Sequence, residues 1–412
     1  MRAYPSTIAL LERMQALGIP VGAFSASRNC EAVLQSAGLH ERFDARVDGH
    51  DAERLGLPGK PDPAMLLEAA RRLDVPPGRT AVIEDSVAGI QAAASGGFRP
   101  VIGVDRGGTL EPELRQAGAD LVVGDAAELL LDSAHRFRAR RLDTLPSVWD
   151  HVDDFRQRIA GRCPVVFLDY DGTLAPIVAH PEDAAVPEST RTAVAALAQR
   201  FPVAVISGRS LADLRTRLDL EGVYYAGSHG FEIAGPGGEH AAEHAREFLP
   251  ELDATERRFR QRLAAIPGHI VERKPFAIAL HYRMVEDDQV ARMERIVDEV
   301  LAARPRLRKR RGKKVFQVQP RLEWDKGRAV GQLLSEIVED EASALALYIG
   351  DDLTDEDVFR TFPVRGIGLV VRDGMRRTSA DYALDDPDDV RRFLEALPTL
   401  LMDVDSCHER QT

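Results

Sequence analysis

Two aspartates two positions apart, Asp169 and Asp171, stand within the run VVFLDYDGTL at positions 165–174. Four apolar residues precede them and Gly172 and Thr173 follow. A side chain at the carboxyl end of a buried parallel strand faces the crevice where ligands bind. Two carboxylates there can hold a hard cation, and one can attack phosphorus. Gly172 permits the sharp exit from the strand. An acidic turn is the plain alternative. A calcium loop of the EF-hand kind is excluded, because it needs more carboxylates and a glutamate where His180 stands.

Three later segments offer matching chemistry. In VAVISGR at 203–209, the Ser207 hydroxyl and the backbone N–H groups about Gly208 could hold phosphate oxygens, although Ser-Gly is also a common turn. WDKG at 324–327 sets Lys326 at a helix start, where a lone lysine is ordinarily a surface charge. LYIGDDLTDEDVF at 347–359 ends an apolar run in Asp351 and Asp352, with Asp355 close behind. Helix capping and dipole-favoured acids account for part of that acidity, above all at Asp355 and Glu356.

The elements that would carry these residues alternate helix and strand, the pattern of parallel α/β units. Residues 1–132 show helical spacing at 8–17, 65–73 and 88–94, and strand runs at 21–24, 81–83 and 101–104. Residues 133–161 read as a polar linker and a helix. A second α/β unit occupies 162–240 and 321–402, with strands at 165–168, 203–206 and 345–349. Within it, 241–320 changes texture, with strands at 269–272, 277–282 and 314–318 around a helix at 290–303. That is an inserted α+β module. Residues 403–412 read as a flexible polar tail.

The composition suits soluble globular domains: 412 residues, 44% hydrophobic and 29% charged. A formal charge of −12 makes nucleic acid a poor partner. RPRLRKRRGKK at 304–314 is the exception, either a solvated hairpin rim or a positive collar drawing in a phosphorylated substrate. Cys30, Cys163 and Cys407 are too scattered for a disulfide framework or a zinc site. No run suits a membrane span or a signal peptide, so a reducing, cytoplasmic setting is expected.

In order, Asp-x-Asp, Ser, Lys and Gly-Asp-Asp resemble the haloacid dehalogenase superfamily of phosphotransferases, each motif falling at an expected strand end or helix start. The fold implied is two Rossmann-like parallel-sheet haloacid dehalogenase units, the second with an inserted α+β cap. The resemblance implies Mg2+ as cofactor, held by Asp169, by Asp171 through its backbone carbonyl, and by Asp351, with Asp355 a direct or outer-sphere group. It implies that Asp169 attacks phosphorus and that Ser207 and Lys326 steady the phosphoryl oxygens. Asp171 would protonate the leaving oxygen and later activate water.

YYAGSHGFE at 224–232, VERK at 271–274, HYR at 281–283 and EWDKG at 323–327 narrow the resemblance to trehalose-6-phosphate phosphatases, over about residues 163–401. It implies a sugar phosphate as small-molecule partner, with Glu272 and Lys274 of the cap, His229 and Gly230 of the core, and Gly208 and Arg209 lining its site. One departure stands out. In VFQVQP at 315–320, Gln317 and Gln319 replace an expected glutamate and an expected basic residue. An amide keeps an acceptor but loses a charge-assisted bond of about 1–2 kcal/mol. Another sugar phosphate, or a non-catalytic sugar-phosphate-binding regulatory role, is therefore the alternative.

FSASRN at 24–29, GKPDP at 59–63 and IEDSVAGIQA at 83–92 resemble the β-phosphoglucomutase-like branch of the same superfamily. Ser25, Lys60, Glu84 and Asp85 match its phosphate, lysine and metal positions. No Asp-x-Asp strand accompanies them in residues 1–132. The unit is expected to be catalytically silent, with a structural or docking role.

Overall fold

Alternating helices and strands build two parallel α/β units. In the computed structural model, residues 3–132, 135–178, 183–236, 238–241, 246–312, 314–322, 324–338, 340, 343–361 and 366–401 are described. One unit comprises Met1–Ser147 and Phe359–Ala383, the other Val148–Val358 and Leu384–Thr412. The expected tail at 403–412, His180 and Glu323 lie outside the described residues.

The first unit pairs β1 (Gly22–Phe24) with β2 (Ala45–Val47) in parallel. A second parallel sheet contains β3 (Val82–Glu84), β4 (Val101–Val104) and β5 (Leu121–Val123). Ile90, Val101, Leu114 and Val122 make its core. Among the described residues no strand joins the two sheets. β6 (Leu129–Leu131) and β7 (Phe137–Ala139) form an antiparallel pair. Beyond them the chain is held rather than loose. Thr378 N–H donates to Arg140 O at 3.2 Å, Leu142 N–H to Arg376 O at 2.9 Å, and Ala383 N–H to Pro146 O at 2.9 Å. The Arg372 guanidinium ties down the carbonyls of Leu142 and Leu145, both at 2.8 Å.

In the second unit, helix Val152–Ile159 turns Phe155 and Ile159 inward, and Phe155 meets Phe393 edge-on with ring centroids 5.5 Å apart. The core sheet holds β8 (Cys163–Asp169), β9 (Val203–Ile206), β10 (Tyr224–Gly227), β11 (Glu232–Gly235), β12 (Gly238–Ala241) and, after the cap, β17 (Ala344–Gly350). Their order is β12-β11-β10-β9-β8-β17. β8 pairs in parallel with both β9 and β17, so its apolar run is buried on both faces. Continuous hydrophobicity, not alternation, is what a central parallel strand requires.

The cap is a four-stranded antiparallel sheet, β13 (Ile270–Lys274), β14 (Ala277–His281), β15 (Leu307–Gly312) and β16 (Val315–Pro320), ordered β13-β14-β16-β15. Helices Leu249–Leu263 and Asp287–Ala302 share a core with it through Leu252, Phe259, Met293, Val297, Phe316 and Val318. The basic segment is the edge strand β15. Lys309 is 2.6 Å from both Glu294 and Asp298, and Arg311 also reaches Glu294 at 2.6 Å. These paired charges make a hairpin rim and blunt an exposed edge.

No described helix is long and apolar enough to cross a membrane. Cys30 is a buried free thiol.

Candidate active site

The register of the core sheet assembles the first group of residues. Asp169 stands opposite Ile206 of β9, and Leu168 opposite Ile349 of β17. Ser207 and Asp351, the residues that follow those strands, therefore leave the sheet at the same edge as Asp169. All three are buried. Gly172 turns the chain away with φ of 87°, and a Cβ there would overlap the Asp351 carboxylate. The glycine lets the loop after β8 close onto the loop after β17.

Lys326 opens helix Lys326–Ile337, whose first turn is capped by the Asp325 carboxylate accepting from Arg328 N–H at 2.9 Å. A cation at a helix N-terminus opposes the dipole, and this one is only 3% exposed. The compensation is specific: its ammonium donates to Asp169 Oδ1 and Asp355 Oδ1, both at 2.7 Å. Burial alone would lower the Lys326 pKa, but the two carboxylates outweigh it and hold the ammonium well above the usual lysine range. Burial pushes Asp169 well above the carboxylate range; Lys326 pulls it back, while Asp355 and Asp351 add to the rise.

Asp355 is tied on every side. Its Oδ1 also accepts from the buried Tyr348 hydroxyl at 2.5 Å, and its Oδ2 accepts the backbone N–H groups of Asp351 and Asp352, each at 2.9 Å. Asp352 closes the same turn through Thr354, accepting its N–H and its hydroxyl at 2.7 Å. The acids after β17 thus include a turn-forming group, Asp352, and a buried clasp, Asp355.

Asp171 points to a different partner. Arg209 donates to it through Nε at 2.8 Å and Nη2 at 2.6 Å, and through Nη1 to Asp213 at 2.9 Å. Ser207 Oγ accepts from Arg209 N–H at 3.2 Å.

A narrow cavity adjoins these groups, lined by Gly208, Ser228, His229, Lys274, Gln317 and Gln319 together with Phe231, Phe276 and Ala277. His229 adopts a left-handed backbone with φ of 59°. A Cβ on Gly208 would sit 2.8 Å from its ring, so the glycine makes room for the imidazole. Trp324 Nε1 fixes the loop by donating to His229 O at 3.2 Å. Burial, then the nearby Lys326 and Lys274, lowers the His229 pKa to about 3. The ring is therefore a neutral hydrogen-bonding group, 3.5 Å from Gln317 Nε2. Gly230, with φ of 88°, would drive a Cβ into Ala329. Glu272 is paired with His281 at 2.8 Å across β13 and β14, a bond that leads the lowering of its pKa.

Carboxylate oxygens of Asp169, Asp351 and Asp355 lie within 4.8 Å of one another. Three carboxyl groups meet one ammonium in a buried place, where burial disfavours charging all three without a further cation. All-oxygen donors suit a hard divalent cation. The donor set fits such an ion, which would also favour the charged form of Asp169.

The structure brings Asp169, Ser207, Lys326, Asp351 and Asp355 to one end of the sheet. It sets Asp171 on Arg209, and gathers Gly208, His229, Lys274 and Gln317 around the cavity. Glu272 lies in the cap strand β13, and Gly230 supports the His229 loop. Tyr348, Trp324, Phe231 and Phe276 were not singled out by sequence. An aromatic inside a strand or beside a helix start looks like ordinary core until its polar tip finds a partner. In the first unit, Lys60 meets both Glu84 oxygens at 2.9 Å, so these matching positions close on each other.

A trehalose-phosphatase family model matches residues 167–388, and one for haloacid dehalogenase-like hydrolases matches 2–97. An uncharacterized glycosyl hydrolase of Mycobacterium tuberculosis is 40% identical over 95% of the chain, which spans only 30% of that relative. A trehalose-phosphate phosphatase of Mycobacterium leprae is 36% identical, over 97% of this chain and 93% of its own. The crystal structure of a trehalose-6-phosphate phosphatase related protein shares the fold, at a TM-score of 0.51 and 24% identity, covering 58% of this chain and 98% of its own. With strand-end carboxylates, a buried lysine and an inserted cap already in place, these matches show that the chain belongs to the trehalose-phosphatase family of haloacid dehalogenase-like hydrolases.

Proposed function

We propose that the second unit hydrolyses trehalose 6-phosphate to trehalose and phosphate, with Mg2+ as cofactor. The observation that carries this reading is the buried Asp169 at the end of β8, 2.7 Å from Lys326 and grouped with Asp351 and Asp355. Asp169 attacks phosphorus in line, and the P–O bond to the sugar breaks as an aspartyl-phosphate forms. Asp171 gives a proton to the departing sugar oxygen, then takes one from the water that releases phosphate. Ser207 and Lys326 donate to the phosphoryl oxygens. Asp169, Asp351 and the backbone carbonyl of Asp171 would hold Mg2+, which when bound neutralises charge on the phosphoryl group. Asp355, with its four hydrogen bonds, orients Lys326 and the Asp351 loop.

His229, Lys274 and Gln317 offer hydrogen bonds to sugar hydroxyls, with Glu272 from the cap, and the aromatic wall of Phe231 and Phe276 shields them from water. The expected setting is cytoplasmic, and the first unit is a docking or structural element. Gln317 beside a neutral His229 favours a second reading, a different sugar phosphate in the same pocket. Phosphate release from a panel of sugar phosphates, with Mg2+ and with chelator, separates the two. Trehalose 6-phosphate should lead, and chelator should abolish turnover. A different preferred sugar, improved toward trehalose 6-phosphate by Gln317→Glu, would support the second reading. Binding without turnover anywhere in the panel would end both.

A further inference from the structure

We infer that Arg209 is a positioning residue for Asp171 rather than a substrate ligand, an assignment that rests on the phosphatase reading above. All three of its guanidinium nitrogens donate to carboxylates. Nε and Nη2 take both oxygens of Asp171, and Nη1 takes Asp213. Asp213 is gripped in turn by Arg217 Nε at 2.7 Å, and Arg217 Nη1 donates to the Ala184 carbonyl at 2.7 Å. The result is a row of alternating charges, Arg217–Asp213–Arg209–Asp171, running from helix Leu211–Leu218 to the loop after β8. Arg209 is also packed, its guanidinium carbon 5.0 Å from the centre of the Tyr170 ring and its side chain 10% exposed.

Asp171 needs such a support. Its side chain is 44% exposed, and it stands next to Gly172 at a positive φ. A carboxyl left free there would sample several rotamers, of which one faces the leaving oxygen. A bidentate guanidinium fixes both the plane and the direction of a carboxylate, which a point charge cannot do. Through this clasp, Arg209 anchors both Asp171 oxygens and so holds the carboxyl in one orientation, from which one oxygen would exchange its guanidinium bond for the leaving oxygen at the chemical step. Its effect belongs in kcat, because orientation matters at the chemical step.

The test is a double-variant cycle on the full chain with trehalose 6-phosphate and Mg2+. Arg209→Gln should lower kcat by about 10–100-fold and leave KM within about threefold. Arg209→Lys should recover part of the loss, and Asp213→Asn, one link further back, should lose less than Arg209→Gln. In an Asp171→Asn background, Arg209→Gln should cost almost nothing more. A raised KM with unchanged kcat would make Arg209 a substrate ligand and overturn the assignment. So would losses that multiply in the double variant. An unaltered chain without phosphatase activity would instead sink the functional reading itself, which separates the two failures.

Discussion

At the scale of single residues, the site is a contest between burial and charge. Asp169, Asp355 and Lys326 are groups that solvent would ordinarily keep at the surface, yet each is nearly fully enclosed. They are tolerated because each supplies what another lacks. Tyr348 extends that logic. Its hydroxyl is the only side-chain donor to Asp355 among the described bonds besides Lys326. Tyr348→Phe keeps the ring's packing and removes one bond to a buried carboxylate. The expected outcome is a loss of about 1–3 kcal/mol in stability and a several-fold lower kcat with KM little changed. Thermal melts and steady-state kinetics check it; an unchanged kcat would mean that Asp355 holds Lys326 without help.

Among elements, β8 and the loop after β17 were legible in the sequence because their signals are local. An unbroken apolar run of strand length ending in Asp-x-Asp-Gly reads as a buried parallel strand delivering carboxylates to its end. The Asp171–Arg209 clasp was not legible, since 38 positions separate the partners and nothing local marks arginine as a partner of one acid over another. The Gln317–His229 contact was hidden for the same reason, spanning 88 positions. The basic segment had two readings from composition alone. The acids that neutralise it, Glu294 and Asp298, lie on a helix whose facing side only the cap's packing reveals. The cap itself depends on a small core, and Phe316 is 1% exposed within it. Phe316→Ala should destabilise the cap by about 3–5 kcal/mol. Hydrogen exchange should then show faster exchange across β13 to β16, with β8 and β17 protected as before. Uniform loss of protection would mean that cap and core unfold together.

For the molecule as a whole, two units of related architecture differ in what they keep. The second brings Asp169, Lys326, Asp351 and Asp355 to one sheet end, a group whose carboxylates fit a divalent cation. In the first, Lys60 and Glu84 satisfy each other, and among the described residues the strands β1 to β5 form two separate parallel sheets. The account thus assigns the chemistry to one carboxylate. Rapid quench of the chain during turnover of trehalose 6-phosphate, followed by borohydride reduction and peptide mass spectrometry, reads that directly. An acyl phosphate on Asp169, reduced to the corresponding alcohol, is the predicted result. Phosphate release with Asp169 unmodified, together with an Asp169→Asn chain that still turns over, would contradict it.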